Sequence, residues 1–426
     1  MSQSPVEPYA LYAVSLQGQT HRLTTSITLS GALGDVNPVC SPDGKTVAFT
    51  RNTRTLLDGE LYLLGLTGTM QPAGEPRAVW WAGTGIALPL WSHGGRELIF
   101  QRQLQRNLWR VDATEQGPPR PVRLGVNGID NPATSADGRA MVFSQGTHSP
   151  DVIRVELTSG KLEPVIASSS MDIGSELSPD GRRIVFGSKR SGSREIWIAA
   201  ADGSDPVQVS RLKHDLTGSP HWSPDGKWIA FDSRVGGKAR LYLTTPEGAP
   251  VRQLLNGTAD DAVPRWSRDG KWLYFSSTRS GAWEAWKVNT TDFTNPQQIT
   301  HAGGVGPVES PDGKFLYYGK GAIGGGAHQV WRMKTAGGPE EQLLRDFSIV
   351  YEDFLPLNDG LYFVPQPEGE KRTMLFLDFA TGKTKRLGEL AKGYVCCLDI
   401  SKDRRHMYFT AEADSGQDLM IVRNFR

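Results

Sequence analysis

The sequence predicts an all-β protein, a β-propeller built from about nine four-stranded repeats. Two observations carry this prediction. A turn of the form Ser-Pro-Asp-Gly recurs between two short strands, and a polar-aliphatic-aromatic triplet recurs in a strand further along each repeat. Measured from the aspartate of the turn, or from the residue that replaces it, the repeats follow one another every 43 to 51 residues. A four-stranded unit at roughly 40–45 residues is typical of a propeller blade.

Residues 221–243 are the clearest copy of the repeat. Pro224, Asp225 and Gly226 form a tight turn between two runs rich in aromatic and aliphatic residues. Proline presets φ for the first turn position, aspartate can bond its own backbone, and glycine accepts the left-handed conformation that ends the turn. A third strand at 240–243 and a fourth at 251–255 complete one up-and-down sheet.

Taken in order, the chain opens with two strands at 11–24 that match the third and fourth strands of a repeat. Three weaker copies follow, with turns near Asp43, Gly94 and Asp137. The copies become sharper from residue 177 onwards, and the final one, at 400–422, supplies three strands. This change in quality predicts N-terminal propeller blades at 1–167, forming an incomplete ring, and a six-bladed C-terminal ring at 168–426. The alternative is one large ring of eight or nine blades. An incomplete first ring also raises the expectation that the chain is part of something longer.

Composition disfavours several classes of partner. The 47 Lys and Arg residues nearly balance the 46 Asp and Glu residues, for a formal charge of +1, so no net field draws the chain to nucleic acid or to an anionic membrane. Residues 1–9 lack the basic start and the apolar run of a signal peptide. No apolar segment is long enough for a membrane span. As written, the chain therefore reads as cytoplasmic, without direct nucleic-acid binding.

The pattern PxWSPDGKxIAF, at 220–231 and in variant form at 264–275, resembles the TolB-type, WD40-like (PD40) propeller repeat. More narrowly, the chain resembles the C-terminal propeller arrays of bacterial winged-helix regulators and Ser/Thr kinases. This resemblance implies a sensor or binding role in signalling, and it makes the periplasm a plausible compartment. Relatives of the same fold also include uronate lyases with metal-bound histidines and the accessory propellers of peptidases.

Motifs of catalysis are absent from the sequence. No G-x-S-x-G nucleophile elbow occurs, no cofactor loop is recognisable, and the eight histidines share no common position in the repeat, so neither a metal nor a cofactor is predicted. The three cysteines, Cys40, Cys396 and Cys397, have no metal or disulfide-framework spacing. We expect them to be packing residues, and a disulfide between the adjacent pair is disfavoured because disulfide geometry is demanding.

One charged pattern remains as a candidate binding site. A cation follows the second strand of four repeats, and an aspartate precedes the first strand of three. Both loops open on the same face of a propeller. Either the charges pair with one another and lock the blades, or they form a rim at the channel mouth that binds a partner or an anionic ligand. The candidate residues are Arg190, Arg234, Arg279, Lys320, Asp172, Asp215 and Asp261.

The sequence therefore predicts a non-catalytic recognition module for a protein or peptide partner, with a small ligand as a further possibility. The alternatives are a propeller-fold enzyme of the uronate lyase kind and the accessory propeller of a peptidase.

Overall fold

The structure is a computed structural model, and it contains strands, turns and one short 3₁₀ turn, Val235–Gly237. No helix in the described residues is long and apolar enough to cross a membrane. The described residues are 8–25, 34–52, 59–80, 86–92, 94–102, 107–114, 117–124, 129–135, 140–146, 150–168, 170–322, 325–345, 347–366, 372–390, 393–412 and 417–423. The all-β prediction is confirmed.

The chain divides into two compact units, Met1–Thr147 with Gly416–Arg426, and His148–Ser415. The first unit holds a two-stranded sheet, β1-β2, two four-stranded sheets, β3 to β6 and β7 to β10, and the pair β11-β12. Its strands are β1 Tyr12–Val14, β2 Thr20–Arg22, β3 Gly34–Cys40, β4 Thr46–Asn52, β5 Gly59–Gly65, β6 Arg77–Trp80, β7 Ile86–Trp91, β8 Glu97–Arg102, β9 Asn107–Asp112, β10 Arg120–Pro121, β11 Ile129–Thr134 and β12 Ala140–Gly146.

In its described residues the second unit contains four antiparallel sheets of four strands and one eight-stranded sheet, whose two four-stranded halves are joined by the single residue pair His328–Ile349. With the two halves counted separately, this gives six four-stranded sheets. The strands are β13 Pro150–Glu156, β14 Leu162–Ile166, β15 Asp172–Leu177, β16 Arg183–Ser188, β17 Glu195–Ala200, β18 Val207–Gln208, β19 Thr217–Trp222, β20 Ile229–Ser233, β21 Arg240–Thr244, β22 Arg252–Gln253, β23 Asp261–Trp266, β24 Trp272–Ser277, β25 Glu284–Asn289, β26 Gln297–Gln298, β27 Val305–Glu309, β28 Phe315–Ala322, β29 Gly325–Lys334, β30 Glu341–Gln342, β31 Ile349–Pro356, β32 Gly360–Pro365, β33 Thr373–Asp378, β34 Thr384–Glu389, β35 Tyr394–Ile400 and β36 His406–Glu412.

The sixth sheet joins distant parts of the chain. Its order is β14-β13-β36-β35, so the first two strands of this repeat come from residues 394–412 and the last two from 150–166. The first strands of the six sheets contact one another in cyclic order, β15, β19, β23, β27, β31 and β35, with β35 returning to β15. This arrangement differs from the boundary expected at residue 168, since β13 and β14 belong to the second unit. The strand after β36, β37 at Gln417–Arg423, instead pairs with β12 in the first unit.

The recurring turn is stabilised by a fixed set of hydrogen bonds. In the copy at 223–228, the Ser223 hydroxyl donates to Asp225 Oδ1 at 2.6 Å and accepts from the Trp228 N–H at 2.9 Å. Asp225 Oδ1 also accepts from the Lys227 N–H at 3.1 Å, and Gly226 has φ +71°. The same serine–aspartate bond recurs at Ser41, Ser178, Ser267, Ser310 and Ser401. The sequence repeat is therefore a repeat of turn chemistry.

Aromatic and aliphatic side chains of neighbouring sheets form the core. Phe186, Phe231 and Phe275 occupy equivalent places in successive second strands, and all three are fully buried. Ile196, Trp222 and the ring of Phe231 belong to one cluster that joins two successive sheets. Because each sheet buries both faces against its neighbours, the loops at the strand ends are left to line the central channel and to interact with ligands.

Candidate functional site

Six residues of the second unit share one position in the repeat, four residues before the aspartate of the turn. Four of the six carry ionisable side chains, and each comes from the end of a different first strand. The set is Glu176, His221, Arg265, Val308, Leu355 and Asp399. The equivalent residues of the first unit are apolar: Val39, Leu90 and Ala133. Charge at this position is therefore a property of the second unit.

A β-bulge precedes this position in the first strands. The register of β19 with β20 shifts between Gly218 and His221, and Ser219 within the bulge has φ +47°. Val263 in β23 has φ +54° at the same place, and Gly174 in β15 has φ +67°. A bulge re-aims the side chains that follow it. Here those side chains are the six that meet in the channel.

All six residues line one cavity of about 510 Å³, situated at the end of the strands where the Ser-Pro-Asp-Gly turns lie. Trp222, Trp266 and the turn prolines Pro179, Pro224 and Pro311 contribute to its wall. This volume lies within the range of pockets that hold small molecules or a few residues of a peptide. The cavity therefore combines apolar side chains with a set of convergent polar groups.

Glu176 lies deep in the channel, and its side chain stays 26% exposed because it faces the cavity. Its Oε2 accepts a hydrogen bond from the Trp222 N–H at 2.8 Å, and its Oε1 is 3.9 Å from Arg265 Nη1. Burial opposes ionisation, but the His221 ring, Arg265 and the Trp222 N–H together hold the pKa of Glu176 below its ordinary value. Glu176 is therefore a fixed carboxylate at neutral pH.

His221 is only 7% exposed. Its Nδ1 lies 3.3 Å from Glu176 Oε2, while its Nε2 has no hydrogen-bond partner among the described residues. Burial, with the positive charge of Arg265 nearby, lowers the pKa of His221 to about 4. The imidazole is therefore neutral at pH 7, and its residue belongs to the cavity lining.

Asp399 is the second carboxyl group of the cavity. Its Oδ2 accepts from the Leu177 N–H at 2.7 Å, and its Oδ1 accepts from its neighbour Ile400 N–H at 2.8 Å. Burial, together with the charge of Glu176, raises the pKa of Asp399 to about 7. Near neutral pH this group is therefore divided between its acid and its carboxylate forms.

Other charges lie at the edge of this set. Glu309, which is 9% exposed, accepts from the Arg268 N–H at 2.5 Å, and burial raises the pKa of its carboxyl group. The side chains of Arg268, Lys402 and Arg404 are exposed at the cavity rim. The interior is thus richer in acids, and the rim is basic.

Cys396 and Cys397 form a disulfide, and Cys397 lines the cavity. The expectation that these cysteines are unbonded packing residues was wrong. Side chains of adjacent strand residues ordinarily point to opposite faces, but the register of β35 with β36 shifts on either side of Cys396, and Cys397 has φ +75°. The bulge brings the two sulfur atoms to the same side. Cys40 is free and exposed.

Two of the predicted cation–aspartate pairs occur within single sheets. Arg190 Nη2 lies 3.0 Å from both carboxylate oxygens of Asp172, which is fully buried. Arg279 Nη2 donates to Asp261 Oδ2 at 2.6 Å, and the Ser277 hydroxyl donates to the other oxygen. In both pairs the arginine side chain is 19% exposed.

The remaining predicted residues have other partners. Arg234 Nη1 lies 3.7 Å from Asp260 Oδ1, and the Arg234 side chain is only 9% exposed. Asp215 lies 3.7 Å from Lys189. Lys320 Nζ donates to Glu340 Oε2 at 2.6 Å and stands over the ring of Trp331. The cations thus occupy one position of the repeat, after the second strand, whereas the acids that they contact come from different positions in different sheets.

None of these seven residues lines the cavity described above. Asp172 and Asp261 begin their first strands, whereas Glu176 and Arg265 lie close to the ends of the same strands. The predicted residues and the cavity are therefore at opposite ends of the first strands. A binding role for the seven stays a prediction.

No group of three or more His, Cys, Asp or Glu side chains with the geometry of a metal site occurs in the described part of the chain. His221 and Asp399 were not among the residues predicted from the sequence, because the histidines share no repeat position with one another and Asp399 lies outside the loops that carry the predicted aspartates. The informative signal was a single repeat position occupied by Glu, His, Arg and Asp in turn, where an ordinary blade has an apolar residue.

Comparison with known proteins yields a consistent set of relatives. Residues 207–395, somewhat under half of the chain, match the family model described as the TolB beta propeller domain. The Tol-Pal system protein TolB of Haemophilus ducreyi is 30% identical over 108 residues, which cover 24% of this chain and 23% of that protein. The matched part thus spans under a quarter of that relative's length.

Two solved structures extend the comparison. A proposed TolB from Agrobacterium tumefaciens superposes with a TM-score of 0.52 at 20% identity, covering 63% of this chain and 99% of that one. A puromycin-hydrolyzing peptidase from Mycobacterium tuberculosis gives a TM-score of 0.42 at 16% identity, covering 84% of this chain and 54% of that one. The second value is too low to bear on activity. The chain therefore has a β-propeller fold that is similar, over residues 207–395, to the TolB beta propeller domain.

Proposed function

We propose that this chain is a non-catalytic recognition module whose second unit binds a protein or peptide segment in the cavity at the turn end of its channel. One observation carries the proposal: four ionisable side chains, supplied by four different sheets, converge on a cavity whose wall also contains tryptophan and proline side chains. Propellers present residues of several blades together at a channel mouth. A small ligand of the same chemistry would use the same groups.

The state of the polar groups favours binding over catalysis. The carboxylates of Glu176 and Asp399 are held by backbone N–H donors, and the His221 ring is neutral, with a pKa of about 4. The pKa of Asp399, about 7, would suit a general base, but both of its carboxyl oxygens already accept hydrogen bonds, from the Leu177 and Ile400 N–H groups. The alternative is an enzymatic role, as in the peptidase whose structure has a distant likeness to this chain.

We also propose the periplasm as the compartment. TolB-type proteins are the relatives that the chain resembles, and disulfides such as Cys396–Cys397 persist in oxidising compartments. The partner would then be a periplasmic protein or a peptide segment of one.

The test begins with selection of binders from a displayed library of random twelve-residue peptides, using the purified chain as the target. Calorimetric titration of the best peptides is repeated with Val308→Trp and Leu355→Trp, which fill the cavity, and with Lys320→Gln at the opposite strand ends. Binding lost in both cavity variants, at unchanged melting temperature, and kept in Lys320→Gln supports the proposal. The reverse pattern moves recognition to the charged residues predicted from sequence, and failure to select any peptide overturns the proposal.

A further inference from the structure

The interior of the cavity contains more carboxyl groups than cationic groups. Glu176, Glu309 and Asp399 all line it, whereas Arg265 is the cation inside it among the described residues. Buried charges need compensation by opposite charge or by hydrogen bonds. The interior of the cavity therefore holds a surplus of hydrogen-bond acceptors.

The His221 ring adds another acceptor. With the imidazole neutral, one nitrogen carries the proton and the other a lone pair. Nδ1 faces the Glu176 carboxylate at 3.3 Å, so the proton belongs on Nδ1, since two facing acceptors would repel each other. Nε2 is then a buried acceptor without a hydrogen-bond partner among the described residues, on a residue that is 7% exposed and that belongs to the cavity lining.

Ser175 provides a second unpartnered polar atom. It is 6% exposed, it lines the cavity, and its hydroxyl oxygen has no hydrogen-bond partner among the described residues. A hydroxyl group can accept as well as donate. A buried polar atom without a partner is costly, so a ligand that reaches Ser175 and His221 gains by supplying the hydrogen bonds that they lack.

We propose that the cavity binds the primary ammonium group of its ligand, either a lysine side chain or the amino terminus of a peptide. An ammonium group carries three donors and one positive charge, which match the acceptors of Glu176, Asp399 and His221. This inference rests on the proposed function for the peptide that carries the group, but the recognition of the amine itself can be tested separately.

The basic rim is compatible with such a ligand. Arg404 Nη1 lies 2.7 Å from Asp359, in an exposed ion pair, and Arg268 and Lys402 are exposed to solvent. Salt screens exposed charges at the rim far more strongly than charges inside the cavity. The interior therefore decides the selectivity for an amine.

The first experiment uses the full chain and small probes. Saturation-transfer NMR at neutral pH compares butylammonium with 1-butanol and butanoate, which have chains of similar length and differ in charge. We expect transfer from the protein to butylammonium alone, and its loss when lysine methyl ester is added as a competitor. Equal transfer to 1-butanol, or transfer to butanoate, overturns the inference.

The second experiment places the amine in the cavity. Asp399→Asn keeps the shape of the side chain but removes the charge and replaces one acceptor oxygen by an NH2 donor, and we expect it to weaken butylammonium binding on the order of tenfold. Asp269→Asn, at an exposed turn of the same strand ends, is the matched control and should leave binding unchanged. Melting temperatures of both variants show whether either one has failed to fold. The NMR comparison of the three probes uses the unaltered chain, so it tests the inference even if a variant does not fold.

Peptides distinguish the two sources of the amine and separate this inference from the proposed function. Selected peptides are resynthesised with an acetylated amino terminus, or with norleucine in place of lysine. Loss of binding on one of these changes identifies the source. Peptides that bind equally well after both changes overturn the ammonium inference and leave the recognition role intact. Binding of butylammonium without binding of any peptide supports the ammonium inference and overturns the proposed recognition of a peptide.

Discussion

At the scale of single residues, the pair Arg190–Asp172 shows how strongly the repeat depends on its buried charges. Asp172 is fully buried, and besides Arg190 it accepts a hydrogen bond from the Ser168 hydroxyl at 2.7 Å. Arg190→Ala should leave this carboxylate without its counter-charge and lower the free energy of unfolding by roughly 3–5 kcal/mol. Denaturant titration measures the change. Lys227→Ala, which breaks the exposed pair with Asp225, should cost less than about 1 kcal/mol.

Asp399 makes stability depend on pH in a defined direction. Its pKa rises from an ordinary 3.8 to about 7 on folding. Between these values the folded state keeps a proton that the unfolded chain has released, so the Asp399 contribution to unfolding free energy falls as pH rises from about 4 to about 7. Asp399→Asn should therefore gain stability relative to the unaltered chain across that window.

His221 acts in the opposite direction, since its pKa falls from 6.5 to about 4 on folding. The unfolded chain binds the proton more tightly, so the contribution of His221 to stability grows as pH rises from about 4 to about 6.5. The difference between Asp399→Asn and the unaltered chain isolates the carboxyl group. A difference that stays flat from pH 4 to pH 7 would contradict the raised pKa.

The sequence predicted the cations of the repeat better than their partners. Arg190–Asp172 and Arg279–Asp261 occur as pairs, because the two loops involved belong to one sheet. Arg234 also lies 3.7 Å from Asp260, and Lys320 donates to Glu340, two acids that the repeat pattern did not single out. Spacing along the chain does not encode which loop carboxylate a cation reaches.

At the scale of the element, the first strand and the turn that follows it contribute different amounts to the stability of the fold. Trp222 is 5% exposed, packs in the cluster between two sheets, and donates its indole N–H to the Glu176 carbonyl at 3.3 Å. Trp222→Ala should therefore create a cavity and cost roughly 3–5 kcal/mol. Asp225→Ala, three residues later, removes turn hydrogen bonds without creating a cavity and should cost on the order of 1 kcal/mol. Thermal unfolding of the two variants, followed by circular dichroism, compares them directly.

The bulges are the elements that sequence reasoning could not supply. Ser219 and Val263 both adopt positive φ, a conformation that neither residue type favours. The surrounding sheet imposes the positive φ, so the conformational preferences of these residue types do not predict the bulges. The cavity depends on these bulges because they set the direction of His221 and Arg265. The fold could therefore be predicted from the chemistry of the turns. The site could be predicted only by comparing, across all repeats, the residue four positions before the aspartate of the turn.

At the scale of the whole molecule, the repeat period and the paired turns were sufficient to predict an all-β propeller. The partition into units was harder, since β13 and β14 are weak in sequence and acquire their place by pairing with β36, some 250 residues away. The pairing of β13 with β36 is a contact between distant parts of the chain, and no nearby sequence pattern predicts it. The number of blades in the whole chain stays a prediction.

The strand β37 offers a test of how the first unit is completed. It pairs along its length with β12, with Met420 and Val422 packed against the core that contains Met141 and Phe143. We expect the double change Met420→Ala and Val422→Ala to lower the stability of the first unit by roughly 2 kcal/mol or more. Hydrogen exchange of the amides in β12 measures it.

The matched control lies on the other face of the same strand. Leu419 and Ile421 are 77% and 56% exposed, so their replacement by serine should leave exchange in β12 unchanged. Amides of β15 to β26, in the second unit, should keep their protection in both variants. Loss of protection there after changing Met420 and Val422 would show that the two units do not unfold separately.

The pairing of β36 with β13, and of β37 with β12, has a consequence for biosynthesis. Neither unit can acquire its full set of strands until residues 406–423 have left the ribosome tunnel. For most of translation, the early strands β12 and β13 therefore wait with open hydrogen-bonding edges, the state in which nascent β-sheet chains are prone to aggregate. We expect the nascent chain to depend on chaperones that shield such edges, and translation arrested before residue 406 should yield a protease-sensitive chain.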